Sequence, residues 1–151
     1  MISEFNAVCD MIKKIGHYVD DPRENFPWHS ACVFLDSLRT QKVAIIPNER
    51  KYFGIPSVVL LGISYIGSND VDPVIIRECM ASSSLIAMKK QKIDGDWSYS
   101  RLENGTNLLG FGIIVPVTDK LNIDDLTEAI TCIATIADKG EQMISGDQDV
   151  L

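Results

Sequence analysis

The stretch NGTNLLGFGIIVPVTDKLNIDDLTEAITCIATIADKGEQMI, Asn104–Ile144, decides the fold. It opens on Asn104-Gly105, a hairpin turn signal, because both residue types tolerate positive φ. Leu108 to Val117 then reads as one long apolar strand, loosened by Gly110 and Gly112. Glycine inside a strand marks a bulge or a close approach by another backbone. A helix is expected from about Asn122, with Asp124 and Asp125 in the first turn, where negative charge suits the helix dipole. Leu126, Ile130, Ile133 and Ala137 form its apolar stripe, and Gly140 is the expected end of the regular part. A strand delivered by a hairpin and followed by an amphipathic helix points to an α+β domain with an antiparallel sheet.

The preceding sequence extends this pattern. Ile2, Phe5, Val8, Cys9, Ile12 and Ile15 recur at helical spacing, with Ser3 as cap and Gly16 as stop. Residues 20–29 carry two prolines and read as an irregular loop. Residues 30–36 and Lys42–Ile46 are predicted strands joined as a hairpin, and Asn48–Gly54 is a charged, aromatic-bearing connection. Val58–Ile66 is apolar nearly throughout, as befits a central strand covered on both faces. Asp72 as N-cap, Pro73 at the first helical position and Val71 as staple give the second helix a clear start. Leu85–Ile93, the turn Asp94-Gly95-Asp96 and a strand around Trp97–Leu102 complete a meander. The expected order is α-β-β-β-α-β-β-β-α, a twisted antiparallel sheet with its helices mainly on one face. It forms a single domain over residues 1–145, with a frayed tail at 146–151. The other face is then wet, or used.

Composition narrows the function. The chain has 151 residues, 46% apolar and 23% charged, which suits one globular domain rather than a disordered chain. Fourteen basic against 21 acidic residues leave a net charge of −7. That surplus repels phosphate backbones and anionic lipid, so neither nucleic acid nor membrane is expected as a partner. No run approaches the roughly 18 apolar residues that span a bilayer, and Met1–Phe5 has no basic start, so a cytoplasmic protein is expected. Cys9, Cys32, Cys79 and Cys132 form no C-x-x-C pair and read as core thiols.

Catalytic motifs are missing. His17 ends a helix and reads as a C-terminal partner. His29 with Asp20 or Asp21 can be drawn as a dyad, but no motif supplies a nucleophile. Gly110-Phe111-Gly112 lacks the third glycine and the helix of a phosphate loop. Asp119, Asp124 and Asp125 read as helix-start acids, and Lys89, Lys90 and Lys92 as guards of a sheet edge. No catalytic residue, cofactor or metal is expected, and the chain is not expected to be an enzyme. What stands out is apolar surface near prolines: Phe26 and Trp28, Tyr52 and Phe53, and the pair Trp97 and Tyr99 on one face of a strand read as lying away from the helices. These six either form a protein interface or close the ends of the core.

From Val71 to Ile144, the helix, the short strands around Asp94-Gly95-Asp96, the strand LLGFGIIVPVTD and the ending LNIDDLTEAITCIATIADKGEQMI resemble the type III secretion chaperone-like superfamily. That superfamily includes the class I effector (Tir-chaperone) family and YbjN-type domains. The connection at residues 47–56 and the strand after Asn104-Gly105 depart from the pattern. The resemblance implies a non-enzymatic, homodimeric chaperone or adaptor that holds a segment of a client polypeptide. It would use the outward sides of the first helix and early strands, with the middle helix at the dimer contact. An immunity protein that neutralises a toxin and a small-molecule-binding regulatory domain of the same fold are the alternatives.

Overall fold

The computed structural model describes residues 2–24, 26–35, 39–82 and 95–145. The described elements run α1 (Ile2–Ile15), β1 (Tyr18–Asp20), β2 (His29–Phe34), β3 (Thr40–Tyr52), β4 (Ile55–Gly67), α2 (Pro73–Ser82), β5 (Gly95–Arg101), β6 (Asn107–Pro116) and α3 (Ile123–Ser145). The six strands form one antiparallel, twisted open sheet in the order β1-β2-β3-β4-β6-β5. The fold class is therefore the expected α+β. The predicted strand Leu85–Ile93, Asp94 of the turn after it, the three lysines and the tail lie outside the described residues, while Gly95 and Asp96, expected in that turn, are the first residues of β5.

Local chemistry explains the helix ends. The Asp72 Oδ1 accepts the Val74 N–H at 2.9 Å, and Pro73 opens α2 as expected. Asn122 Oδ1 accepts the Asp125 N–H at 2.9 Å, while its Nδ2 donates to the Asp125 carboxylate, a reciprocal cap. Gly16 takes φ 108° directly after α1. Ser3 is not the cap: it lies inside the first turn, and its hydroxyl donates to Glu4.

All three helices share one face of the sheet. Phe5, Val8 and Ile12 of α1 and Leu126, Ile130 and Ile133 of α3 pack with Val43, Ile45, Val58, Leu60, Leu109 and Phe111 in the main core. Gly62 of β4 lets α3 come close, since a Cβ there would stand 2.7 Å from that of Ala137. Ser64 donates its hydroxyl to the Ala137 carbonyl at 2.7 Å, and β4 is bulged between Ile63 and Tyr65.

Four expectations need correction. Residues Tyr18–Asp20 pair with β2 and form a strand, although too short for a periodic signal. Residues 47–56 are not a loop: β3 and β4 continue as a two-stranded ribbon to the turn Phe53-Gly54, with φ 50° and 78°. Two positive-φ central residues are the mark of a hairpin turn, which Phe53 disguised in the sequence. Gly140 does not end α3, which runs on to Ser145. At Asn104-Gly105 only Gly105 takes positive φ (86°), and Asn104 Oδ1 instead accepts the Thr106 N–H.

Candidate functional site

The face of the sheet opposite the helices carries the unexpected chemistry. Strand alternation places Ala44, Ile46, Val59, Leu61, Ile63, Ile66, Leu108, Gly110, Gly112 and Ile114 on it. An antiparallel sheet with helices on one face commonly presents polar residues on the other. Here the centre of that face is apolar across β3, β4 and β6.

Half of it is covered by the chain itself. Arg23 and Phe26 form an isolated antiparallel bridge, and Phe26 packs with Ala44, Ile63 and Leu108 as a second, smaller core. Trp28 meets Phe26 edge to face at 5.4 Å between ring centroids, and the Lys42 ammonium lies 4.7 Å over the Phe26 ring. Phe26 and Trp28 are thus placed beside the candidate surface, Phe26 as part of its floor.

The other half has no such cover among the described residues. In register, Ile46 faces Val59 and Val59 faces Ile114, and in the next row Leu61 faces Gly112. Ile114 is 41% exposed, and Ile46, Val59, Leu61 and Gly112 are half-buried. Leu61 leans across β6, so that a Cβ on Gly110 would stand 2.9 Å from its Cδ1. Gly110 therefore lets Leu61 lie flat on the sheet. Asp96 of β5 borders this half next to Gly112.

Beyond Ser57, paired with Pro116, and the Val117 N–H bonded to the Pro56 carbonyl, β3 and β4 project past β6 as a two-stranded arm. The arm ends in Phe53, which is 85% exposed at φ 50°. A bulky side chain in left-handed backbone is a strained outlier. Pro47 and a register shift between Asn48 and Tyr52 blunt the outer edge of the arm against strand addition.

The remaining candidates separate. The backbone of Tyr52 closes the arm opposite Ile55, and its side chain lies outside what is described. Trp97 and Tyr99 share a face, but it is the helix face. Trp97 is 5% exposed, packs on Phe111 at 5.5 Å and touches α3, and Tyr99 Oη accepts the Val71 N–H at 3.1 Å. Both are removed from the binding candidates, since β5 pairs with β6 in the register that sets them opposite Phe111 and Leu109 of the main core. The outward side of α1 carries Asn6, Asp10, Lys13 and Lys14 and is polar. Ile46, Val59, Leu61 and Ile114 were the residues missed, because an apolar run in a central strand reads as core on both faces.

A second feature is a cleft of about 270 Å³ between α1 and β1–β2, lined in part by Phe5, Cys9, Asp10, Lys13, Asp21 and His29. Of the drawn dyad, His29 Nε2 lies 3.6 Å from Oδ1 of the exposed Asp21, beyond hydrogen-bond distance. Its ring stands edge-on to Phe5 at 5.1 Å. Burial pushes the neighbouring Cys9 thiol up to about 11, which keeps it protonated and poorly nucleophilic at neutral pH. Among the described residues no three His, Cys, Asp or Glu side chains group as a metal site, and no helix is long and apolar enough to cross a membrane.

No family model matches this sequence, and neither a curated protein nor a solved structure matches it.

Proposed function

We propose that this chain is a non-enzymatic, cytosolic polypeptide-binding protein, a chaperone or adaptor that holds an apolar segment of a client on the half of its open sheet face that the described residues leave uncovered. One observation carries the reading: Ile46, Val59, Leu61 and Ile114 line a face opposite the helices that ordinary solvation would make polar. A shallow, uncharged surface of this kind favours an apolar chain segment over a small ligand, which needs enclosure and convergent polar groups. The cleft at His29 lacks an activated nucleophile, which supports a binding rather than a catalytic role. The likeness of Val71–Ile144 to secretion chaperones points the same way, and free cysteines suit a reducing compartment.

The test is a photo-crosslinking side chain placed at Ile114 in the native host, with a control at exposed Asp124 on α3. Recovery of the same client protein from position 114 and not from position 124, lost on Ile114→Lys, is the expected result. Adducts of equal yield from both positions would end the reading.

A further inference from the structure

We propose that residues 16–22 form a pH-operated strap, which lies on the sheet at neutral pH and lifts away on mild acidification, with His17 as its trigger. The inference is independent of what the open sheet face binds.

The strap runs between two firm anchors. One is α1, whose Ile12 is fully buried in the main core, and the other is the Arg23–Phe26 bridge, whose phenylalanine lies in the second core. Between these anchors every residue is exposed except His17 and Val19, which are half-buried. The strap pairs with β2 over three residues, Tyr18 with Cys32, Val19 with Ala31 and Asp20 with Ser30, and β1 is the end strand of the described sheet. A short strand with so few buried side chains opens more readily than the core behind it. Gly16, at φ 108°, is the hinge: a Cβ there would meet nothing within 4 Å, so the chain has room to swing.

His17 makes this opening depend on pH. Both ring nitrogens are shut off from solvent and neither has a hydrogen-bond partner, while the ring lies beside Phe34. The closed strap thus leaves a neutral imidazole unsatisfied, and it would leave an imidazolium without the hydration a charge requires. The titratable and charged side chains on the elements around it are Lys13 and Lys14 of α1, Tyr18 and Asp20 of β1, Asp21 beyond it, and His29 and Cys32 of β2. None of them bonds to the ring, and burial alone lowers its pKa. The two lysines oppose a further positive charge, whereas Asp20 and Asp21 are exposed and largely screened. His29 lies 3.6 Å from Asp21, and an exposed pair of this kind holds the far end of the strap only weakly. In acid the lifted strap takes up a proton while the closed strap keeps its imidazole neutral, so the balance moves toward the lifted form. Lifting frees the backbone groups of β2 at Ser30–Cys32 and removes Val19 and Asp21 from the wall of the cleft over Cys9. A closed sheet edge becomes an open one.

The experiment is hydrogen exchange of the full chain between pH 8 and pH 5, corrected for the intrinsic pH dependence of exchange and read by mass spectrometry. Protection of residues 17–20 and 30–32 is expected to fall several-fold toward pH 5. The ceiling is about thirtyfold, set by a lifted His17 with an ordinary pKa of roughly 6.5 against a closed one that stays neutral. Protection around Ile130 of α3 is expected to hold over the same range, which separates lifting from unfolding of the whole domain. His17→Phe keeps an apolar ring and removes the titrating nitrogens, and its strap is expected to be protected alike at both pH values. His29→Asn is expected to keep the wild-type response. Protection of the strap that does not change with pH, an equal loss in α3, a response retained in His17→Phe, or one abolished in His29→Asn would each overturn the proposal.

Discussion

Gly140 of α3 lies so close to Trp97 of β5 that a Cβ on the glycine would stand 2.8 Å from the indole Cη2, and 2.6 Å from Ser64 Oγ. The contact holds the last turns of α3 against the sheet at a position where a helix is normally weakened. Alanine would raise helix propensity by about 1 kcal/mol. Trp97 and Ser64 are buried, and overpacking of this kind costs about 1–3 kcal/mol. Gly140→Ala is therefore expected to lower stability in chemical denaturation. A stabilised variant would show that α3 can shift away without loss.

Arg39 and Asp138 form a largely buried ion pair between the start of β3 and α3, and Asp138 also accepts from Gln142. Removing the carboxylate alone leaves a guanidinium in a poorly solvated site. Asp138→Ala is expected to cost about 3 kcal/mol, whereas the double change Arg39→Met with Asp138→Leu is expected to cost far less. A double-mutant cycle with no coupling would count against the pair.

His17 follows Gly16 and packs beside Phe34, with ring centroids 6.2 Å apart. Burial lowers its pKa below the ordinary 6.5, so the folded state favours neutral imidazole. In the window between the two values the unfolded chain binds the extra proton. The stability is therefore complete above 6.5 and is lost as pH falls from 6.5 toward the folded value. His17→Phe should flatten that part of the stability–pH curve, and an unchanged slope would place the titration elsewhere.

Desolvation raises the thiols of Cys9, Cys79 and Cys132, that of Cys9 to about 11. Alkylation by iodoacetamide at mildly alkaline pH is expected to be slow at Cys9 in the folded chain and fast after unfolding, read by mass spectrometry. Rapid labelling of folded Cys9 would reopen the cleft at His29 as a reactive site.

Phe53→Asn relieves left-handed strain at a turn that suits asparagine. It is expected to stabilise the fold by about 1 kcal/mol, seen as a higher midpoint of thermal unfolding. A lower midpoint would mean that the Phe53 ring contributes more within its own chain than its exposure suggests.

The sequence by itself determined the elements whose signals are local. Asp72-Pro73 and Asn122-Ile123-Asp124-Asp125 start α2 and α3 because caps and dipoles act within one turn. The apolar runs of β4 and β6 and the stripe of α3 specify a sheet with a helix laid on it. Only the tertiary structure decided which face each strand shows. Trp97 faces α3 because β5 pairs with β6 in one register, and a slip of one residue would turn it outward. Tyr18–Asp20 is a strand because β2 lies beside it, and Gly140 stays helical because Trp97 and Ser64 fill the space a side chain would take. The open apolar face was hidden for the same reason. Period-two patterning separates the two sides of a strand only when one is polar, and in β4 and β6 neither is.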